Sequence, residues 1–462
     1  MSVLSAISVG QKALQAASAG IEVTSQNVGN ATTVGYSRKT LQTRQSDGIT
    51  KAGVHLGGGV DVTGISRATD RLLGMRLVAA AGNEAAAQAR LESLHLSESW
   101  FNETTATGLS EAWSGLFDAL TSLTSDPSNP SMRRGVTDAG NTLAGTISRT
   151  AAGLQANIDG IDAGLAPRVD EVNAMLMEVA GLNAAIGRAG ADVGPTDLLD
   201  RRDQLVRSLG EAIGATVELA ADGQATVYIG GHAVVSGPTA RTVALDTDAD
   251  GAPVLTVSMD NSEISVNADI AGELGGILSA RETTDGWLDA LDTFAFDLIT
   301  SFNAAHASGF DANGVAGGVF FVAPSSAEGS AASIAMDESL LADPDLLALA
   351  GSSSADPGDA TNLLTMIDFE GGANFGGATR TGLETVSDLL SQVGNDVAGA
   401  ESDADNQQGL LEDLDAMRDA VAGVDTDEEA IRLIEYQAAY RAAAQVISAA
   451  NEMLASLFSM GG

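Results

Sequence analysis

Apolar residues recur at both ends of the chain with helical spacing. Near the N-terminus Ile7, Leu14, Ile21 and Val28 stand seven residues apart, flanked by small residues such as Ala13, Ala17 and Gly20. Near the C-terminus Leu433, Tyr440, Ile447 and Leu454 form one row, and Tyr436, Ala443, Ala450 and Leu457 form a second row three residues on. Apolar rows three and four apart, sustained over several heptads, predict helices that pack lengthwise. Neither end carries flanking charge dense enough to be stable alone in water, so each needs a partner. The candidate assembly seams are therefore Ile7, Leu14, Ile21, Val28, Leu433, Tyr436, Tyr440, Ile447, Leu454 and Leu457.

Between the ends, residues 66–125 and 131–190 read as helical, with the prolines of SDPSNPS (125–131) separating them and Pro167 expected to kink or interrupt the second. PTDLLDRRDQLVRSLGEAIG (195–214) predicts another helix, with Thr196 as its N-cap. The pattern then changes. TVELAADGQATVYIGGHAVVSG (216–237) alternates β-branched and polar residues around Asp222-Gly223 and Gly230-Gly231, which are hairpin turn signals, and residues 243–267 continue in that style. Helix resumes over about 273–306. A Gly/Ser/Asp-rich stretch of short elements covers 310–380, and helix returns over 382–458. There Leu410, Leu414, Met417, Val421 and Val424 make a further stripe, although Gly394, Gly399, Gly409 and Gly423 each cost about 1 kcal/mol against alanine in a helix.

The expected fold class is mainly α with an inserted β domain. Long N- and C-terminal helices pair in coiled-coil fashion around a central helical bundle and a small β-rich domain. The expected domains are a terminal helical assembly domain (1–60 plus 428–462), a helical body (61–214 plus 273–427) and the β-rich insert (215–272).

Charge sharpens this picture. The chain has 462 residues and a formal net charge of −39, which argues against nucleic acid as a partner, since phosphate binding needs a basic surface. Residues 1–90 nevertheless hold nine Lys/Arg against five Asp/Glu. This basic arm has a natural counterpart in residues 401–429, with eleven acids and one arginine. Those acids read first as a solvated helix face, and second as an electrostatic match to Arg38, Lys39, Arg44, Arg67, Arg71 and Arg76. No run of apolar residues is long enough to span a membrane. No basic n-region with a continuous apolar core opens the sequence, so any export is expected to proceed without a cleaved leader.

Catalytic chemistry finds little footing. Cysteine is absent, which removes disulfides, thiolate zinc sites and a cysteine nucleophile. His55, His95, His232 and His306 never fall at ligand spacing, and no HExxH or GxSxG occurs. His306 is expected to end a helix and support the loop after it. DTDADG (246–251) reproduces the opening of an EF-hand loop with Asp246, Asp248, Asp250 and Gly251, but the twelfth position is Val257 and the flanks read as strands. A hairpin tip accounts for the same residues, leaving the three aspartates a weak metal candidate. No cofactor and no enzymatic activity are expected.

A family resemblance adds what spacing alone does not. GIEVTSQNVGNATTVGYSR (20–38) resembles the N-terminal signature of the flagellar axial proteins, the rod, hook and hook-associated family. The shared N-x-A-N-x-x-T-x-G-Y element is matched by Asn27, Asn30, Thr33, Gly35 and Tyr36, with Gly29 standing where the family usually has alanine. EEAIRLIEYQAAYRAAAQVISAANEMLASLFSM (428–460) resembles the ending of hook-associated members, chiefly at Gln437, Tyr440, Ile447, Ser448, Asn451 and Met453. DLLDRRDQL (197–205), GGILSARE (275–282) and NAAHASGFDANGVAGGVFF (303–321) resemble their helical body.

The resemblance implies a structural subunit of the ring between hook and filament, outside the cell. It also implies export in an unfolded state through the flagellar type III channel, with a cytosolic chaperone on the C-terminal segment. The implied partners are further copies of the chain, the hook protein and a second hook-associated protein on the filament side. Terminal helices that cannot bury their apolar faces alone are expected to order on assembly. The alternatives are another axial subunit, of hook or rod, and more remotely a secreted adhesin built on the β insert.

Overall fold

The computed structural model describes residues 3–460 apart from 34, 52–53, 102–107, 190–194, 221, 250, 260–261, 268–269, 323, 325 and 357. The chain opens with helix α1 (Val3–Gly29), strands β1 (Lys39–Gln45), β2 (Ile49–Lys51), β3 (Val54–Leu56) and β4 (Val60–Arg67), and helices α2 (Arg71–Glu98), α3 (Leu109–Leu123), α4 (Pro130–Ala189) and α5 (Thr196–Ile213). Strands β5 (Thr216–Leu219), β6 (Ala225–Ile229), β7 (His232–Ser236), β8 (Thr239–Ala240), β9 (Val243–Thr247), β10 (Pro253–Met259) and β11 (Ser262–Ser265) follow. Helix α6 (Gly272–Ala307), the short α7 (Ser330–Ser333), α8 (Glu338–Ala342) and α9 (Thr361–Asp368), and the long α10 (Gly382–Ala422) and α11 (Thr426–Met460) complete the order. The fold is mainly α, with paired terminal helices and a small antiparallel β region.

By packing, the chain forms two compact units. The first comprises residues 1–86, 167–275 and 406–462, and the second comprises 87–166 and 276–405. Residues 215–272 thus pack as part of the first unit. Their strands form one four-stranded sheet ordered β5-β6-β7-β8 and one three-stranded sheet ordered β9-β10-β11, all antiparallel. Gly230 and Gly231 make the two-residue turn between β6 and β7 with φ of +53° and +75°, a left-handed pair that a side chain would resist. Asn183 of α4 anchors the insert: its side chain, fully buried, bonds Ala225 through both N–H and C=O and also reaches the Gly237 carbonyl.

Three expectations need correction. Residues 39–45 and 60–67, which the expected domains placed in helical units, form an antiparallel β1–β4 pair, running from Lys39 opposite Arg67 to Gln45 opposite Val60. Neither KTLQTRQ nor VDVTGISR buries alternate residues, so the pair carries no clear period-two signal beside the long helical patterns on either side. The pair is fastened to α1, where Lys12 Nζ lies 2.8 Å from Asp61 Oδ1 and holds that carboxyl below its usual range by hydrogen bonding. Pro167 does not interrupt α4. Leu165, Val169 and Val172 on either side of it are buried, and that burial offsets the local cost of a proline, about 3 kcal/mol. Thr196 is the first residue of α5 and not its cap; the cap position is Pro195, with no side-chain bond.

The break after α3 is as expected: Asn129 Oδ1 accepts from Ser131 N and Met132 N, and Pro130 takes the first helical position.

The second unit holds an aromatic core. Trp113 is fully buried, with ring centroids of Phe117 at 4.9 Å, Phe375 at 5.7 Å and Phe294 at 5.8 Å. Phe302, Phe320, Phe321 and Phe369 extend the cluster. His306, one residue before the end of α6, is buried against the following loops: Nδ1 bonds the Gly318 carbonyl at 2.9 Å and Nε2 accepts from Ala348 N. Burial holds its pKa below the usual imidazole value.

Candidate assembly joint

The terminal helices lie in the first unit and pack on each other. Their contact is antiparallel. A Cβ added at Gly10 would come within 2.8 Å of Ile447, and one at Gly20 within 2.5 Å of the Tyr436 ring, so rising numbers on α1 meet falling numbers on α11. On α1 the buried line is Gly10, Ala16, Ala17, Gly20, Val23, Thr24 and Asn27. On α11 it is Glu429, Ala443 and Ala450, with Tyr436 and Ile447 half-buried beside them. Heptad spacing is present, but small residues set the closest approach and let the backbones come near each other. Ile7, Leu14 and Ile21 flank that line half-buried, and Val28 is exposed. Leu433 and Leu454 are also half-buried, while Tyr440 is 39% and Leu457 58% exposed.

The stretch after α1 gathers the motif residues into a joint. Gly29 ends the helix, Asn30 Nδ2 donates to the Gln26 carbonyl at 2.9 Å, and Thr33 Oγ1 donates to Asn30 Oδ1 at 3.3 Å. Gly35 then takes φ +82°, a conformation only glycine holds without strain, and delivers Tyr36 back against α1.

Asn27 is the centre. It is fully buried, and its amide makes four bonds: Nδ2 donates to the Lys39 carbonyl and to Glu429 Oε2, both at 2.9 Å, while Oδ1 accepts from Lys39 N at 2.9 Å and from Tyr36 OH at 2.8 Å. An amide is the side chain that offers two donors and two acceptor sites at one point. Glu429, 1% exposed, is held from its other oxygen by Arg432 at 2.9 Å. One side chain thus ties the end of α1, the start of β1 and the first turn of α11.

The charges around the joint correct the expected electrostatic match. Among the described residues Arg38 does reach the acidic 401–429 stretch, at Glu428 (3.3 Å). Lys39 instead pairs with Asp197, and Arg67 with Asp200 at 2.6 Å and Asp203 at 2.9 Å. Those three aspartates recur every third residue along one side of α5, where they meet β1 and β4. Lys39 Nζ also stands 5.2 Å from the Tyr36 ring centroid. Burial, then the charges of Asp200, Asp197 and Glu429, push the Tyr36 phenol up to about 12. Arg207 of α5 grips Asp415 of α10 through two 2.9 Å bonds, and Arg418 donates to the Tyr36 carbonyl at 3.3 Å.

The joint therefore joins Asn27, Asn30, Thr33, Gly35 and Tyr36 at one place. Sequence reasoning missed Arg432 and the burial of Glu429, and it matched Lys39 to the acidic 401–429 stretch and not to Asp197. Glu429 had a signal: it lies seven residues before Tyr436, on the inward row, and an acid at an inward position needs a buried partner.

The weak metal candidate falls at a hairpin tip between β9 and β10. Asp246 and Asp248 are exposed, Asp248 Oδ1 accepts from Ala252 N at 2.8 Å, and Asp250 lies outside the described residues. Among the described residues no three His, Asp or Glu are placed to hold a metal ion, and no helix is long and apolar enough to cross a membrane.

Comparison with known proteins converges on one source. Residues 94–321 match the family described as flagellar hook-associated protein FlgK helical domain, and residues 420–460 match the C-terminal family of flagellar basal body rod FlgEFG proteins. The chain is similar over 99% of its length to the whole of flagellar hook-associated protein 1 of Escherichia coli strain K12, at 24% identity. It is 25% identical, over 97% of its length and 96% of the relative's, to the protein of that name from Bacillus subtilis strain 168. The solved flagellar hook junction protein FlgK from Burkholderia pseudomallei shares the fold with a TM-score of 0.67, covering 75% of this chain and all of that one at 14% identity. These relatives are structural proteins of the flagellum. Body, C-terminal helix and overall fold agree, and the chain belongs to the flagellar hook-associated protein 1 (FlgK) family.

Proposed function

We propose that this chain is the structural subunit joining hook to filament, and that it assembles through its terminal helices after export by the flagellar type III route. The observation that carries the reading is the second apolar face of α11. One face of that helix is covered by α1. The other presents Ile431 (59% exposed), Ile434 (64%), Val446 (48%), Met453 (50%) and Leu457 (58%), linked by Ala438, Ala442 and Ala449 at helical spacing. An exposed stripe of this length on a surface helix marks a protein–protein interface.

On this reading the assembly part is α1 with α11. Its partners are further copies, the hook protein on one side and a second hook-associated protein on the other, with an export chaperone on the C-terminal segment beforehand. The work is mechanical and not catalytic. Deletion of the gene is expected to leave cells with hooks, without filaments, and with filament protein shed into the medium. Cells that kept their filaments would sink the reading. A second reading, a rod or hook subunit, is favoured by the rod-type match at 420–460. It requires instead that deletion abolish the hook.

A further inference from the structure

Beside the joint, the first unit contains a cavity of about 190 Å³ floored by Leu73, Leu77, Val78, Val206, Val217 and Leu219. Arg67, Arg71, Arg207 and Arg418 also line it, and each guanidinium is already engaged, with Asp200 and Asp203, with the Leu219 carbonyl, with Asp415, and with the Tyr36 carbonyl. A charged occupant would have to break one of these pairs, whereas an uncharged apolar one need not. Val421 lines the cavity and continues outward along α10 as an apolar stripe with Met417, 57% exposed, and Leu410, 48% exposed.

At the far end of the same helix pair lies a segment of matching chemistry. Residues 453–460, MLASLFSM, carry no charge, and Leu457, Phe458 and Met460 are 58%, 79% and 83% exposed. The antiparallel register sets Leu454 opposite the first described residues of α1, so 457–460 lie beyond them. The cavity adjoins Gly35 and Ala422 at the opposite end. At 1.5 Å per residue α1 separates the two by roughly 40 Å. Rigid helices keep the segment from its own chain's cavity.

We propose that residues 453–460 of one copy insert their apolar side chains into this cavity of a second copy. The contact is head-to-tail, so it is not used up in a two-fold dimer and propagates into a ring or helical array. The proposal rests on the self-assembly reading above and names the two surfaces that meet.

Because the chain has no cysteine, engineered thiols report alone. Full-length chains carrying Gly74→Cys are mixed with full-length chains carrying Phe458→Cys, oxidised, and analysed for the mixed disulfide by mass spectrometry. Gly74 lines the cavity and a Cβ there meets nothing within 4 Å, and Phe458 is exposed, so both variants keep the fold. The mixed disulfide is expected severalfold above that formed between Phe458→Cys and Thr142→Cys, an exposed site in the second unit. Equal yields overturn the proposal. Gly74→Trp, which fills the cavity, and Phe458→Asp are each expected to lower self-association in sedimentation; unchanged association of both overturns it too. A chain carrying Gly74→Cys together with Phe458→Cys, expressed in cells, separates the two levels. Chain present in isolated flagella without a disulfide between the two engineered positions overturns the proposal and leaves the junction reading intact. Chain missing from flagella overturns the junction reading and the proposal with it.

Discussion

The two units use different means to hold helices together. The second unit buries bulk: two tryptophans and eight phenylalanines meet in its core, with Trp113 at zero exposure. In the first unit the terminal helices meet through glycine and alanine, and their register is fixed by one asparagine and a buried glutamate. Aromatic burial is non-directional and scales with area, so the second unit has the means to fold on its own. A small-residue seam buries little apolar area and leaves α11 half uncovered, which suits an element completed by neighbours. The difference can be followed spectroscopically. All three tryptophans (Trp100, Trp113, Trp287) fall in the second unit and all four tyrosines (Tyr36, Tyr228, Tyr436, Tyr440) in the first.

The largest expected effect breaks the aromatic side of the comparison. Trp113→Ala should cost the second unit about 3–5 kcal/mol, read from the denaturant midpoint of the remaining tryptophan signal. Trp113→Phe should cost clearly less, because among the described residues the indole N–H has no hydrogen-bond partner to lose. If the phenylalanine variant were as unstable as the alanine one, ring volume would not be what fills that core.

Next in size is the polar side. Asn27→Ala removes four bonds and strands the Lys39 backbone groups, the Tyr36 hydroxyl and Glu429, with an expected loss of about 2–4 kcal/mol in the docking of α1 on α11. Amide hydrogen exchange should quicken in both helices while protection in the second unit stays as it was. Equal loosening of the two units would show that the joint is not a local device.

A smaller effect tests the seam. Gly20→Ala places a Cβ 2.5 Å from the Tyr436 ring and should destabilise the pair by about 1–3 kcal/mol. Gly29→Ala, where nothing lies within 4 Å, should be neutral or stabilising by about 0.4–1 kcal/mol. Exchange protection of α11 should therefore fall in Gly20→Ala and hold or rise in Gly29→Ala. If both loosen it, the glycines serve backbone freedom and not close approach.

Much of this contrast was legible in the sequence, for identifiable reasons. Heptad rows announced the pairing of α1 and α11, and Gly230-Gly231 announced a turn, because each pattern is local and has one physical solution. The strands at 39–67 were not legible beside long helical patterns, since two short strands gain their stability from each other and from α1. Pro167 does not break α4, because the burial of Leu165 and Val169 beside it offsets its local cost. On α11 the rows named Tyr436, Ala443, Ile447 and Ala450, which face α1, but on α1 they stressed the large residues beside the line of closest approach. Ile7, Leu14 and Ile21 drew attention by size, while the contact belongs to Gly10, Ala17 and Gly20, whose value lies in what they allow the partner to do. The partners of the basic arm depended on which face of α5 turns toward β1 and β4, which only the assembled unit specifies.

The smallest effects lie in pH and should fall on opposite sides of neutrality for the two units. Tyr36 keeps its proton to about pH 12 in the folded chain, against an ordinary value of 10.0. Above the ordinary value the unfolded chain loses the proton first, so the folded state binds more protons and the first unit loses stability as pH rises through that window. His306 behaves in the reverse sense. Burial lowers its pKa below 6.5, so as pH falls through that value the unfolded chain takes up the proton first and the second unit loses stability toward acid. Protonation would also end the acceptance of Ala348 N–H by Nε2. Exchange protection of α11 measured at about pH 9 and about pH 11 should fall in the parent chain and fall less in Tyr36→Phe, and tryptophan-detected midpoints should fall between about pH 7 and about pH 5.5. A first unit whose alkaline loss is untouched by Tyr36→Phe would place the sensitive group elsewhere, and a second unit indifferent to mild acid would mean that His306 carries its proton inside the fold.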